Sequence, residues 1–290
     1  MSIASDLAKI IELEPLEHLN FRGHVPQVGW QRVFGGLVIA QALRAAQLTV
    51  TGRQAHSLHG YFLLAGDPDQ AIDYEVDPIR EGRSFATRRV VARQAGKAIF
   101  AMSASFHADE DDGFVHQATM PDVPMPEDLP SVEDIRSTVL PSLPHPVRAY
   151  FERERPIDLR PVDFERYRSG LSAQLGNRLW VRSPLPLGDD PAVHRCVLAY
   201  ASDLTLLDSA LVQHNTSVFD PDIMPASLDH TMWFHRAFRA DDWLFYQQES
   251  PNAGGGRGYA RGLIFKRDGT LVASVAQEGI IRKRHGTISR

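Results

Sequence analysis

Two polar side chains in the second half of this 290-residue chain, Asp203 and Gln277, stand where a matching first half carries Gly36 and Ala104. The match is visible because the chain repeats itself. FGGLVIAQALRAAQL (Phe34–Leu48), SLHGYFLL (Ser57–Leu64) and FATRRVVARQAGKAIFAMSASF (Phe85–Phe106) return as YASDLTLLDSALV (Tyr200–Val212), SLDHTMWFH (Ser227–His235) and YARGLIFKRDGTLVASVAQEG (Tyr259–Gly279). Two copies mean a duplicated fold and not a solenoid. Superposing the turn glycines Gly96 and Gly269 sets Gln277 opposite Ala104, in the row Leu271, Ala273, Val275 that alternation puts on one strand face. Superposing the helix starts sets Asp203 opposite Gly36, at the mouth of a helix that is apolar beyond it. A buried polar group left unpaired costs roughly 1–3 kcal/mol, so two such replacements in one copy call for a reason. A shielded carboxylate is a base for water. Backbone N–H groups at a helix start, near Gly35–Gly36 or near Asp203, are donors for charge that develops on a carbonyl oxygen. The chemistry these types suit is hydrolysis. Structural readings stand beside it: Asp203, or Ser202 before it, as an N-cap, Gln277 covering a strand end, and Ser227 as a strand-start hydroxyl bonded to backbone.

The elements that must hold these residues are legible in each copy. Val38, Ala42 and Ala45 with Ile39, Leu43 and Ala46 form a wide apolar stripe at helical spacing, rich in alanines that permit close packing. The counterpart places Leu204, Leu207 and Leu211 on one side, which predicts a second buried helix from about Asp203. Alternating or β-branched stretches at Arg88–Arg93 and Gly258–Phe265 predict strands, and Asp268-Gly269 signals a hairpin. A long helix followed by antiparallel strands is an α+β unit whose curved sheet wraps the helix, and two units would join their sheets edge to edge. Nine of the 19 prolines fall between Pro121 and Pro161. That stretch reads as a linker without regular strands, because proline removes a ladder donor. Short helices are expected in it at Ser131–Val139 and Val147–Glu154. The organisation expected is a first unit at 1–120, a linker at 121–165 and a second unit at 166–290.

Composition narrows the function classes. A hydrophobic fraction of 43% supports one large core or two medium ones, and a net charge of −5 gives no electrostatic footprint for nucleic acid. No apolar run reaches the ~18 residues of a membrane span, and the start MSIASDLAKIIELEPLE lacks the order of a signal peptide. The single Cys196 suits a reducing compartment, with cytoplasm the expectation. GRSFA (Gly82–Ala86) is not a nucleophile elbow, and GGGRGYARG (Gly254–Gly262) fits neither a dinucleotide fingerprint nor a P-loop and reads as a hairpin. His230 and His235 have no familiar zinc spacing and read as core or aromatic-packing histidines, while Asp109–Asp112 reads as a solvated turn. Neither a metal nor a cofactor is expected.

FRGHVPQVGWQRVFGGLVIAQAL (Phe21–Leu43), HSLHGYFLLAGD (His56–Asp67), YASDLTLL (Tyr200–Leu207), LDHTMWFHRAF (Leu228–Phe238) and SVAQEGIIR (Ser274–Arg282) are long, unusual strings. Through them the chain resembles the bacterial acyl-CoA thioesterase II family almost end to end. The resemblance implies a tandem, or double, hot-dog fold and hydrolysis of acyl-CoA, with medium- to long-chain substrates. It also implies that Asp203, Ser227 and Gln277 hold the hydrolytic water, Ser227 standing where the family usually has threonine. Under this reading His56 and Gly36 are accessory candidates, and Arg83, Arg88, Arg257, Arg261 and Arg282-Lys283-Arg284 are candidates for the CoA phosphates. Met232, Trp233 and Phe234 are candidates for an acyl groove. Two rival readings are a non-catalytic acyl-CoA binding protein and an enoyl-CoA hydratase. The hydratase would need an Asp–His pair about five residues apart, where this chain has Asp203 and Asp208. Open sheet edges favour a homo-oligomer, dimer or tetramer.

Overall fold

The computed structural model describes residues 6–27, 31–110, 113–135, 137, 148, 156–163, 176–218 and 220–284. The first half supplies helix α1 (Leu7–Ile10), strands β1 (Leu13–Pro15) and β2 (Asn20–Gly23), then the long helix α2 (Gly35–Leu48). Strands β3 (Gln54–Phe62), β4 (Ile72–Glu81), β5 (Phe85–Gln94) and β6 (Lys97–His107) follow. The second half opens with β7 (Asp158–Pro161), β8 (Gly176–Arg182), α3 (Pro191–Ser202) and the single turn α4 (Ser209–Val212). It closes with β9 (Ile223–Ser227), β10 (Asp229–Phe234), β11 (Leu244–Gly254), β12 (Arg257–Lys266) and β13 (Leu271–Lys283).

Among the described residues, all thirteen strands belong to one sheet in the order β1-β2-β4-β5-β6-β3-β10-β13-β12-β11-β8-β7, with β9 paired to β13. The two halves repeat one permutation, each with its long helix between the second and third strands. β3 of the first half and β10 of the second meet antiparallel at the centre, with Thr231 opposite His59 and Trp233 opposite Ser57. The sheets therefore join edge to edge and hide both inner edges, and the architecture is the tandem hot-dog fold. Hairpins tighten where the sequence supplies left-handed residues: Ala95 and Gly96 lie at φ 46 and 76, and Gly255 and Gly256 at φ 59 and 75. Positive φ at both central residues suits the twist of two-residue hairpins.

The helices pack side by side within the sheet. Val38, Ile39, Ala42, Leu43, Ala45 and Ala46 of α2 share one core with Val197, Leu198 and Ala199 of α3. A Cβ on Gly36 would stand 2.5 Å from the carbonyl oxygen of Tyr200, so only glycine lets the start of α2 approach the end of α3 this closely.

Two expectations are corrected. The second long helix does not begin near Asp203. It begins at Pro191, where Asp190 accepts from the N–H of Ala192 at 2.9 Å and proline takes the first helical position, and it ends at Ser202. Residues 203–208 are turns before α4. The expected linker also contains a strand, since β7 pairs with β8 through Asp158–Arg182 to Pro161–Leu179. β7 ends the sheet order, so Pro161 sits on an edge where a missing donor is tolerated. Upstream, the proline-rich stretch covers the outer face of the second half: Val123 is buried with Trp180, Trp243, Phe245, Phe265 and Leu271. The Trp180 indole donates to the carbonyl of Pro124 at 2.9 Å. Of the expected short helices, Ser131–Val139 is represented by Val132–Asp134, and Val147–Glu154 lies outside the described residues apart from Arg148.

Candidate active site

Asp203 caps the C-terminal end of α3, and the helix head it meets is that of α2 in the other half. The N–H of Gly36 donates to its carboxylate, and a Cβ on Gly35 would stand 2.7 Å from Asp203 Oδ2. The positive end of α2 favours the carboxylate, whereas the carbonyl end of α3 opposes it. Gly36 thus enters the site as a backbone donor.

Gln277 reaches the same carboxylate from β13. One Nε2 proton goes to Asp203 Oδ1 at 2.8 Å and the other to Ser227 Oγ at 2.6 Å. Strand geometry explains how Ser227 arrives there. The β9–β10 strand breaks at Leu228, where Asp229 accepts from the N–H of Glu278 at 2.8 Å, and the register slips by one between Ser227–Gly279 and Thr231–Ala276. Ser227 opposite Gly279 faces the side that Gln277 faces. The structure therefore brings together Asp203, Ser227, Gln277 and Gly36, the three side chains in direct contact.

Burial pushes the Asp203 carboxyl up to about 7 against the hydrogen bonds of Gln277, Gly36 and Ser227, which hold it down. Desolvation wins because no cation faces it among the described residues. The result is a carboxylate basic enough to take a proton near neutrality.

His230 belongs to this site, although the sequence reading put it in the core. It is 0% exposed, its Nε2 lies 2.8 Å from Ser202 Oγ, and its Nδ1 lies 3.9 Å from Asp203 Oδ1. Burial holds the ring down to about 4, so it is neutral at working pH. Nothing in its spacing along the chain gave this away, because Asp203 approaches from a different element. Tyr246 of β11 completes the wall, donating to the carbonyl of Ser202 at 3.1 Å.

The remaining candidates lie elsewhere. His56 is bonded through Nε2 to Ser105 Oγ at 2.8 Å and packs edge-on to Phe85 and His107, apart from the Asp203 cluster. Arg88 is buried and spent on Glu81 and on the hydroxyl and carbonyl of Thr49. Arg257 pairs with Glu278 and Arg261 with Glu249, while Arg83 is exposed. Arg282 lies beside Gly256 at the hairpin. Trp233 is half-exposed and edge-on to His59 at 5.3 Å; Met232 and Phe234 are buried, Phe234 stacking on Phe238. The Cys196 thiol is buried and pushed up to about 12, which removes it as a nucleophile. Among the described residues no group of three His, Cys, Asp or Glu side chains could hold a metal.

Comparison with known proteins agrees with this geometry. A family profile for acyl-CoA thioesterase matches residues 146–280, and one for the acyl-CoA thioesterase N-terminal domain matches residues 22–107. The chain is 38% identical over 281 residues to acyl-CoA thioesterase 2 of Haemophilus influenzae, covering 97% of this chain and 98% of that protein. The crystal structure of an acyl-CoA thioesterase II from Mycobacterium marinum superposes with a TM-score of 0.78 at 44% identity, covering 96% and 98% of the two chains. A hot-dog protein from Alicyclobacillus acidocaldarius, at 20% identity and a TM-score of 0.75 over 95% and 97% of the chains, shares the fold. An antiparallel sheet doubled about its centre, a buried carboxylate at the junction and relatedness along nearly the whole chain lead to one conclusion: the chain belongs to the acyl-CoA thioesterase II family.

Proposed function

We propose that the chain hydrolyses medium- to long-chain acyl-CoA to free fatty acid and CoA with a water activated by Asp203 and oriented by Ser227 and Gln277. The observation that carries the assignment is the buried Asp203 carboxylate, raised to about 7 and gripped by Gln277 at 2.8 Å. Asp203 takes one proton from water and the oxygen bonds to the thioester carbon. The tetrahedral intermediate then expels sulfur, which receives the proton back from Asp203, so acid and thiol form without net proton loss. A donor for the developing oxyanion comes from the head of α2. The N–H of Gly36 goes to Asp203, and those of Leu37 and Val38 go to the carbonyl of Phe34, which leaves the N–H of Gly35. Apolar neighbours support an acyl substrate, since the Phe62 ring touches the Gly35 position and Leu207 lies against Gly279. The same reading places the protein in the cytoplasm as a self-associating enzyme. Half-exposed and exposed Tyr61, Leu63, Leu64 and Trp233 on or directly after the central strands support association.

The test is release of free thiol from purified protein and acyl-CoA, with Asp203→Asn reducing kcat by at least ~100-fold. Consumption of an enoyl-CoA double bond without thiol release would replace this reading with hydration. Tight acyl-CoA binding without turnover would replace it with carriage.

A further inference from the structure

Pairing across the sheet carries the comparison of the two halves beyond Asp203 and Gln277. Ala260 pairs with Gln277 as Arg88 pairs with Ala104. Two residues further along those strands, Gly262 meets Gln248 of β11 as Val90 meets Val76 of β4, and Ile264 meets Tyr246 as Ala92 meets Tyr74. The tyrosine is common to both halves, but Gln248, at 2% exposure, stands where the first half buries Val76. It is a third polar side chain on an apolar face of the same half, and its Oε1 is buried without a hydrogen-bond partner among the described residues. What it touches is the segment that carries Asp203. Gln248 Nε2 donates to Thr205 Oγ1 at 2.7 Å, and Tyr246 donates to the carbonyl of Ser202 at 3.1 Å. Asn177 of β8, opposite Gln248, donates to the carbonyl of Thr205 at 3.4 Å. In a continuing helix those two carbonyls would accept from the N–H groups of Leu206 and Ser209. Here the Ser209 N–H goes to the carbonyl of Leu206, and α3 stops at Ser202. In the first half Tyr74 reaches only the side chain of Gln41, at 2.8 Å, and α2 runs unbroken.

We propose that Gln248 is a positioning residue for Asp203: its bond to Thr205, together with those of Tyr246 and Asn177, clamps the break after α3 from which the carboxylate meets the head of α2. This rests on the reading of Asp203 as the base. The clamp grips both sides of that residue, Ser202 directly before it and Thr205 two positions after, so the backbone that carries it is tied to β8 and β11 at two points. From there the carboxylate reaches the N–H of Gly36 and the amide of Gln277 across the junction of the halves. The Gln248 amide can be turned either way without losing the clamp, since the Thr205 hydroxyl both donates and accepts. No proton passes through Gln248. It acts on the reaction only through where Asp203 sits.

Gln248→Met keeps the length of the side chain and removes its hydrogen bond, and Thr205→Val removes the same bond from the other side with the shape retained. Misplacement of a reacting group by about 1 Å costs on the order of 10²-fold, and two of the three tethers remain, so each variant should lower kcat for thiol release about 5- to 30-fold. KM should stay within about twofold of the parent. The double variant should lose no more than the larger single loss, and its Tm should stay within a few degrees of the parent, because both partners are replaced by apolar groups of similar shape. Thr205→Ser keeps the hydroxyl and should stay close to the parent in kcat. A readout apart from activity is the Gly36 amide in glycine-labelled, full-length, substrate-free protein, since its N–H is the one that meets Asp203. In Gln248→Met its NMR signal should shift and its hydrogen exchange should quicken, while Gly60 of β3 keeps its rate. Should Gln248→Met fail to fold, Thr205→Val is read by the same measures. Parental kcat in a folded variant, a loss of kcat with the Gly36 amide unmoved, or single losses that multiply in the double variant overturns the proposal. Full thiol release by Asp203→Asn would instead overturn the assignment of the base, which the Gly36 reading leaves separate.

Discussion

Gly35→Ala tests the junction of the two halves with an added methyl group that has no chemistry of its own and leaves the backbone N–H of residue 35 in place. The added Cβ would stand 2.7 Å from Asp203 Oδ2 and 2.8 Å from the Phe62 ring, where ordinary contact begins at 3.4 Å. Something must give by more than half an ångström. The carboxylate is the softer side, so it retreats, and its 2.8 Å bond from Gln277 is stretched or lost. Misplacement of a reacting group by about 1 Å costs on the order of 10²-fold, so a shift of this size reduces kcat by about 10- to 100-fold. Stability changes little, because overpacking costs about 1–3 kcal/mol and alanine returns up to about 1 kcal/mol of helix propensity. At this chain length that is a fall of a few degrees in Tm. The assay is thiol release for kcat and KM, with calorimetry for Tm and Gly254→Ala as control, since a Cβ there meets nothing within 4 Å. Parent kcat in a folded Gly35→Ala protein would show that the first half does not position Asp203.

Because Asp203 must be ionised to act, kcat/KM should rise with pH through about 7 and then level. Its folded pKa lies above the unfolded value of 3.8, so the folded state binds the extra proton and the native carboxylate costs stability as pH rises from 3.8 to about 7. Asp203→Asn should therefore gain Tm over the parent by an amount that is small near pH 4 and grows until about pH 7; a constant difference would contradict the buried charge. Ser227→Ala and Gln277→Ala should each lower kcat, and the double variant should cost less than their sum, with coupling of about 0.5–3 kcal/mol, because each relies on the 2.6 Å bond between them. Strict additivity would separate the two roles. His56→Ala, remote from Asp203 and bonded to Ser105, should leave kcat within about threefold of the parent.

The duplicated pattern, the glycine hairpins and the inward row ending in Gln277 were legible in the sequence because strand alternation and turn chemistry are local rules. They determined the doubled sheet and picked out a polar residue on an apolar face, which the structure shows to be 1% exposed. Placement of Asp203 was not local. Its alignment with a helix start failed because the helix is set by Asp190 and Pro191, a cap signal upstream of the repeated string. The tertiary structure then supplied a helix head from α2 of the opposite half, across an approach that Gly36 alone permits. It also brought His230 to within 3.9 Å of Asp203 from a separate strand. Periodicity fixes which way a side chain points from its own element; which group it meets depends on how the two halves close on each other, and the base near neutrality is a product of that closure.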